Sequence, residues 1–195
     1  MRAVLLAVAA CAAFGAGIAG AASAGSPDPK LMVLRLRDLP VGFGRVSGTY
    51  VSNLQQGRKS APWITTADYI RWGRITGYEE SFTKPATVGL VRVDSAASTY
   101  RTAVGAGKSQ RASYRATAKT VDPKFVRLPL GRTIGSDSRL YRARIGNTIT
   151  VYLVLWRWQA VRAYVVGNWV HGTARPEPVV ALARKQQERI RAGVP

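Results

Sequence analysis

Cysteine and histidine are almost absent from this chain, which contains one of each, Cys11 and His171, in 195 residues. A zinc site with Cys₄ or Cys₂His₂ ligands therefore cannot be built from one copy of the chain. A single cysteine also excludes a disulfide within the chain. Any mechanism that depends on histidine must use His171. We expect no metal site and no cofactor.

Acidic residues are also scarce, since 10 Asp and Glu stand against 29 Lys and Arg, for a formal net charge of +19. An excess of positive charge attracts anionic polymers and surfaces. We expect the partners to be anionic envelope polymers, acidic lipids or an acidic protein, and we do not expect nucleic acid. The alternative is that the charge reflects composition alone. The oligomeric state does not follow from the sequence.

The longest uncharged apolar run, residues 3–22, lies directly after Met1-Arg2 and leads into Ala22-Ser23-Ala24. A basic start, an apolar stretch and small residues at a cleavage site form the pattern of a secretory signal peptide. We predict export, cleavage after Ala24 (residues 1–24) and a single domain over residues 25–195, whose formal charge is +18 from 28 basic and 10 acidic residues. An uncleaved membrane anchor and a lipoprotein acylated at Cys11 are alternatives.

The first part of the exported chain contains short alternating or β-branched runs. These runs predict strands at residues 31–36, 45–51, 75–83 and 88–94. A hydroxyl cap followed by an acidic residue predicts a short helix over residues 65–73. A longer helix is expected over residues 98–119, and a polar loop over residues 53–62.

The C-terminal third predicts three strands, at residues 139–145, 148–158 and 161–170, followed by a helix over residues 177–191. Gly146-Asn147 is a two-residue hairpin signal, and the second turn is expected near Gln159-Ala160. Strands joined by tight hairpins and mixed with two long helices indicate an α+β fold. We predict an antiparallel sheet with helices packed on it, whose C-terminal three-strand meander is followed by a helix.

The two-residue turn also predicts which side chains share a face of the sheet. One face would carry Tyr141, Ala143, Ile145, Tyr152, Val154, Trp156, Ala163, Val165 and Trp169. The other would carry Leu140, Arg142, Arg144, Ile149, Val151, Leu153, Leu155, Arg162, Tyr164 and Val166. The middle strand is apolar on both faces, whereas a half-exposed strand would alternate. Either both faces are covered, or one of them binds something.

Arginines gather around an apolar patch on the second of these faces. The candidate ligand-binding residues are Arg142, Arg144, Arg157, Arg162 and Tyr164. An apolar patch with an arginine rim suits an acidic amphiphile or an acidic protein. The alternative is a core that a helix covers, with the arginines at its edge.

The helix predicted over residues 98–119 has a basic stripe formed by Arg101, Lys108, Arg111, Arg115 and Lys119. At 100° per residue these side chains fall within about a quarter of a turn. A one-sided basic stripe is a candidate anion-binding surface. A solvated helix face is the alternative.

Four short motifs suggest catalysis but lack the context that it requires. Ser81-Phe82-Thr83-Lys84 matches S-x-x-K but ends a predicted strand before proline, and residues 102–109 only approximate a phosphate-binding loop. Glu79-Glu80 would point to opposite faces of a strand, and no spacing links His171 to a serine or acid. We therefore predict no catalytic residue. A secreted serine hydrolase using Ser81 or His171 is an alternative.

Three stretches resemble a family: residues 38–43 (Asp-Leu-Pro-Val-Gly-Phe), residues 140–152, and residues 180–186 in the closing helix. The chain resembles small actinobacterial exported proteins and lipoproteins, akin to extracellular sensor domains of envelope serine/threonine kinases and to PsbP-like lipoproteins. The resemblance implies an α+β sandwich without enzymatic activity, and it transfers no functional residue. Many of those sensors carry disulfides, which the exported chain would lack, and we expect no attached kinase or membrane span.

The function that fits these observations is an exported, non-enzymatic binding or sensor-like module of the cell envelope. A secreted protein that binds polyanions through charge alone is the second hypothesis. The serine hydrolase is the third.

Overall fold

The structure, a computed structural model, describes residues 27–172 and 174–194. The predicted signal peptide and Cys11 lie outside the described residues. Over the described ranges, no helix combines the length and hydrophobicity that crossing a membrane would require. In the same part of the chain, no group of three or more His, Cys, Asp and Glu side chains could hold a metal ion.

Seven strands form one antiparallel sheet with the order β1-β2-β3-β7-β6-β5-β4. The strands are β1 (Gly44–Val51), β2 (Arg74–Thr83), β3 (Gly89–Tyr100), β4 (Val126–Leu128), β5 (Ser136–Ile145), β6 (Ile149–Trp158) and β7 (Val161–Val170). Because β3 pairs with β7, the first and last thirds of the chain meet at the centre of the sheet.

Helices cover both faces of this sheet. They are α1 (Asn53–Lys59), α2 (Thr66–Arg71), α3 (Ala103–Lys119) and α4 (Glu177–Gly193), with 3₁₀ helices at Pro29–Met32 and Leu36–Asp38. The first three α-helices lie on one face, and α4 lies with the first 3₁₀ helix on the other. The predicted α+β class, the antiparallel sheet and the strand meander followed by a helix are confirmed.

The α4 face, defined as the sheet face under α4, carries the main apolar core. Val179, Ala183 and Ile190 recur at helical spacing along α4 and are fully buried against the sheet. The buried Gln186 lies on the same helix face, where it accepts from Ser95 Oγ at 2.9 Å and donates to the Ala96 carbonyl at 2.9 Å. The core therefore holds polar groups with hydrogen-bond partners.

The hairpin between β5 and β6 differs from the predicted one. Ile145 pairs with Ile149, so the connection has three residues instead of two, and Gly146 begins it at a φ of +57°. Since side chains alternate along a strand, a shift of one residue moves every β5 side chain to the other face. The predicted face assignment of β5 is wrong, and that of β6 and β7 relative to each other is correct. The second turn, Gln159-Ala160, is confirmed by the pairing of Trp158 with Val161.

Two other predictions in the first half are wrong. Residues 31–36 are not a strand, because the segment contains parts of two 3₁₀ helices separated by a short connection. Residues 53–62 are not only a loop, because α1 begins there under a capping box in which Ser52 and Gln55 bond each other's backbone amides. That motif was present in the sequence and signals a helix start.

The boundary between β3 and α3 is also displaced from the predicted one. Residues 95–99 are small or polar and read equally well as helix, yet they pair with β2 and β7 on either side. The helix begins only at Ala103, after Thr102 Oγ1 accepts from the Gly105 amide at 3.0 Å. Strand β4 was not predicted, since its three residues carry no pattern.

Candidate functional site

The α3 face, defined as the sheet face under α1, α2 and α3, contains a cavity of about 680 Å³. The segment from α1 through residue 64 forms one wall, and the C-terminal half of α3 forms the other. Strands β2, β3, β6 and β7 form the floor. This volume lies in the range of sites for small organic molecules. We call it the main cavity.

One half of the floor is apolar because alternate residues of β6 point to the same face. Val151, Leu153 and Leu155 provide this surface together with Val166 of β7, and Phe125 closes it at the side. Leu153 is only half-buried, since no helix side chain covers it completely. This half of the main cavity suits the hydrocarbon part of a ligand.

The other half of the floor is polar and contains two carboxylates, each with a cation of its own. Glu79 Oε2 accepts from Lys59 Nζ at 2.8 Å. Asp94 accepts from Arg92 Nε at 2.9 Å and from Ser81 Oγ at 2.6 Å. The negative charges of the lining are therefore already matched within the protein.

Two cations of the lining, Arg58 and Arg162, form no ion pair among the described residues, and Arg58 is exposed whereas Arg162 is half-buried. Arg162 is the one that belongs to the floor. Its Nη1 donates to Ser109 Oγ at 3.1 Å. In the described part of the chain no carboxylate lies within 4.0 Å of its guanidinium. Burial acts to lower its pKa, but interactions with Tyr100, Tyr69 and Tyr164 outweigh burial and raise it. Arg162 therefore brings a permanent positive charge to the main cavity.

Tyr164 lies two residues after Arg162 on β7, on the same face of the sheet, and is a neutral hydrogen-bonding group. Burial first, and then the charges of Glu79 and Asp94, raise the pKa of its phenol well above the usual value. Its hydroxyl donates to Glu79 Oε1 at 3.4 Å. The phenol stays protonated at neutral pH and contributes polarity without charge.

The structure separates the five arginine-patch residues that the sequence grouped together. Arg157 and Arg162 pair with each other and share the α3 face with Tyr164. Arg142 pairs with Tyr152 of the α4 face core, and Arg144 shares that face. The grouping is therefore corrected: the shifted β5 hairpin removes Arg142 and Arg144 from the patch.

The predicted basic stripe is largely present on α3. Lys108, Arg111, Arg115 and Lys119 are exposed on its outer side, whereas Arg101 lies before the helix begins. Lys119 Nζ lies 5.5 Å from the centre of the Trp63 ring. Among the described residues none of the four forms an ion pair. Anion binding by this stripe stays a prediction.

The structure does not bring Ser81 and His171 together. Ser81 pairs with Asp94, which pairs with Val166, five residues before His171 along β7. At about 3.3 Å per residue, this places the two side chains about 17 Å apart along the sheet. Ser81 donates to Asp94, and the His171 amide donates to the Thr148 carbonyl at 2.9 Å. Neither contact forms a serine–histidine pair.

The other motifs have structural roles. Lys84 lies an odd number of residues from Ser81, so the two point to opposite faces of the strand end. Glu79 pairs with Lys59 and Glu80 with Arg45, on opposite faces as expected. Ser109, the last residue of the phosphate-loop-like stretch, accepts from the hydroxyl of Tyr100 at 2.7 Å inside the protein.

Sequence analysis missed the wall formed by α1 and the segment that follows it. Lys59, Ser60 and Tyr69 line the main cavity, and Ser60 Oγ lies 2.7 Å from the Tyr69 hydroxyl. The capping box at Ser52 could have placed α1, but no local signal shows that this helix lies over β2. That contact is set by the arrangement of the strands in the folded sheet.

Comparison with known proteins finds a likeness of fold. No family model matches the chain, and no curated protein matches it. Among solved structures, the extracellular domain of PknH from Mycobacterium tuberculosis is similar, with a TM-score of 0.53 and 12% identity. The match covers 82% of this chain and 94% of that one. The resemblance seen in the sequence to extracellular domains of this kind is confirmed at the level of the fold.

Proposed function

We propose that this protein is an exported, non-enzymatic binding module of the cell envelope, with a sensor-like role, and that its ligand is an amphipathic anion. The observation that carries the proposal is the main cavity, which joins an apolar floor to an unmatched positive charge. The fold similarity to an extracellular domain and the secretory pattern of residues 1–24 support the location.

The chemistry of the lining selects the ligand class. A hydrocarbon chain or ring system would lie on Val151, Leu153 and Val166, removing apolar surface from water. A carboxylate or phosphate would face Arg162, whose planar guanidinium donates several hydrogen bonds to such groups. A cationic head group is disfavoured because Glu79 and Asp94 already have cations.

The proposal is tested by the melting temperature of the purified protein with three amphiphiles of equal chain length. We expect dodecanoate to raise the Tm, and dodecanol and dodecyltrimethylammonium to raise it less or not at all. A ligand at 100 times its Kd adds about 2.7 kcal/mol, which shifts the Tm of a protein of this size by several degrees. Equal shifts with the anion and the cation would contradict an anion site.

Two variants locate the binding. Arg162→Gln should weaken dodecanoate binding at least tenfold, and Leu153→Trp should abolish it by filling the apolar half. Arg144→Gln is the matched control, because it removes the same charge from the α4 face and should leave binding unchanged. If Arg144→Gln weakens binding as much as Arg162→Gln does, overall charge and not the main cavity is responsible.

The second candidate function is binding of polyanions by the basic stripe of α3. It is favoured by the four exposed cations of α3, which are free of ion pairs within the described part of the chain. Affinity for heparin should then fall steeply with salt, as for any binding driven by counterion release. The triple variant Lys108→Gln, Arg111→Gln and Arg115→Gln should flatten that salt dependence while leaving dodecanoate binding intact.

A further inference from the structure

A second, much smaller cavity lies next to the main cavity on the α3 face, and it has room for one water-sized particle. The centre of a water-sized particle can occupy about 10 Å³ of it, so the cavity admits a single particle of that size or one slightly larger. Arg74 and Arg162 both line it, together with Ser98, Tyr164 and Glu79. Two arginines therefore border the same small space.

Arg74 is deeply buried, with 4% of its surface exposed. Its Nη1 donates to the Val51 carbonyl at 2.9 Å and to Asn53 Oδ1 at 3.0 Å, and its Nε donates to Ser98 Oγ at 3.3 Å. Its buried Nη2 has no hydrogen-bond partner. A buried charged donor without an acceptor lowers the stability of the folded protein. An acceptor bound in the small cavity would remove this loss.

The charges around this space are not balanced within the described residues. Neither Arg74 nor Arg162 has a carboxylate within 4.0 Å. Burial lowers the pKa of Arg74, and the charge of Arg162 lowers it further. Glu79 also lines the small cavity, but Lys59 Nζ bonds it at 2.8 Å and matches its charge. The buried Arg74 and the half-buried Arg162 thus place two positive charges beside the same small cavity.

We propose that the small cavity between Arg74 and Arg162 binds a monovalent inorganic anion of chloride size. Water would satisfy the Nη2 donor of Arg74 but would leave both charges uncompensated, which is expensive in a buried site. Carboxylate and phosphate contain several heavy atoms and are too large for a cavity that admits one particle, whereas chloride is a single atom. One chloride against two guanidinium groups leaves one positive charge for a ligand of the main cavity, so the two sites are compatible.

The anion site is tested without any amphiphile. The purified protein is melted in sodium chloride and in sodium gluconate at equal ionic strength. Chloride at ten times its Kd should raise the Tm by about 3–5 °C over gluconate, and the rise should saturate. Crystals soaked in sodium bromide should show an anomalous peak between the two guanidinium groups. Equal Tm values in the two salts, or the absence of the bromide peak, would overturn the proposal.

Variants separate this site from the proposed function. Arg162→Gln should remove the difference between chloride and gluconate. Arg157→Gln should keep it, since Arg157 pairs with Arg162 across the strands but does not line the small cavity. Leu153→Trp blocks the main cavity and should also keep the chloride effect. A chloride effect that disappears in Leu153→Trp or in Arg157→Gln would refute the assignment to this cavity.

Discussion

The two faces of the sheet are built from the same strands but are filled in different ways. On the α4 face, one long helix with apolar residues at regular spacing packs along β6 and β7 and buries their side chains. On the α3 face, α3 contacts the sheet mainly through its first turns, and two short helices cover the rest. Close packing gives the first face its stability, and incomplete cover gives the second its cavities.

The reason for the difference lies in the residues of the two helices. The sheet-facing side of α4 carries Val179, Leu182 and Ile190, whereas the buried residues of α3, apart from Tyr114, are small or polar, as Gly105 and Ala106 are. Small residues allow a helix to approach the sheet closely but fill little volume. The closely packed core and the cavities therefore lie on opposite faces of the sheet.

The largest expected effect comes from removing a tryptophan of the α4 face. Trp156 is fully buried, and its Nε1 donates to Gln187 Oε1 at 2.7 Å. Trp156→Ala should cost about 3–5 kcal/mol in the free energy of unfolding. Trp63→Ala is the control: Trp63 is 51% exposed beside α3, and its loss should cost less than about 1 kcal/mol. Similar urea midpoints for the two variants would contradict the contrast between the faces.

A matched pair of neighbouring valines measures the same contrast directly. Val165 is fully buried on the α4 face, and Val166, 3% exposed, lines the main cavity on the α3 face. Val165→Ala should cost about 2–3 kcal/mol, and Val166→Ala about 1 kcal/mol, because its side chain already borders open space. Urea unfolding curves of the two variants provide the test, and equal losses would show that the main cavity is closed in solution.

Two glycines of α3 should respond with opposite signs to the same substitution. A Cβ atom on Gly105 would lie 1.9 Å from the carbonyl oxygen of Trp72, so Gly105→Ala must displace the helix, at a cost of about 2 kcal/mol. On Gly107 the nearest atom would be 3.5 Å away, and Gly107→Ala should stabilise the helix by about 0.5–1 kcal/mol. Thermal unfolding distinguishes the two, and stabilisation by both would mean that α3 does not approach α2 closely.

The smallest expected effect is the loss of stability at acid pH that comes from the ion pair between Asp38 and Arg189 of α4. Burial acts to raise the pKa of Asp38, but hydrogen bonds from Arg189 and from the Arg35 amide outweigh it and lower the pKa. The ionised carboxylate therefore stabilises the fold above the usual pKa of aspartate, and this contribution is lost as the pH falls below about 4.

Asp38→Asn should remove that part of the pH dependence, with a loss at pH 7 below about 1 kcal/mol. Arg189→Gln should flatten the same part of the curve, since Arg189 Nη2 lies 2.8 Å from Asp38 Oδ2. Unfolding free energies measured between pH 3 and pH 7 provide the comparison. An unchanged acid slope in both variants would show that the pair does not connect the N-terminal segment to α4 in solution.

Strong local patterns in the sequence were sufficient to predict much of the fold. Alternation and β-branched residues located β1, β2, β5, β6 and β7, and the helix predicted over residues 177–191 corresponds to α4. Some errors fell where the local signal is neutral, and others where a signal was present but was not used. Residues 95–99 became strand because partners on both sides bond their backbone, and α1 was missed although its capping box was present.

The candidate site was less accessible from the sequence than the fold. Arg162 and Tyr164 were correctly placed on one face with Leu153 and Leu155, because alternation along β6 and β7 and a two-residue turn relate them. Arg142 and Arg144 were placed wrongly by a single residue in the preceding hairpin. Arg74 was not noticed, since nothing at the start of a strand distinguishes a buried arginine from an exposed one.

The sequence by itself determined the α+β class, the meander followed by α4, and the excess of positive charge, because these depend on composition and on short-range periodicity. The tertiary structure alone decided which arginines share a face, how far α1 and α3 cover the sheet, and that Arg74 is removed from water. Those features arise from strand register and helix packing, and one residue in a hairpin loop is enough to change them.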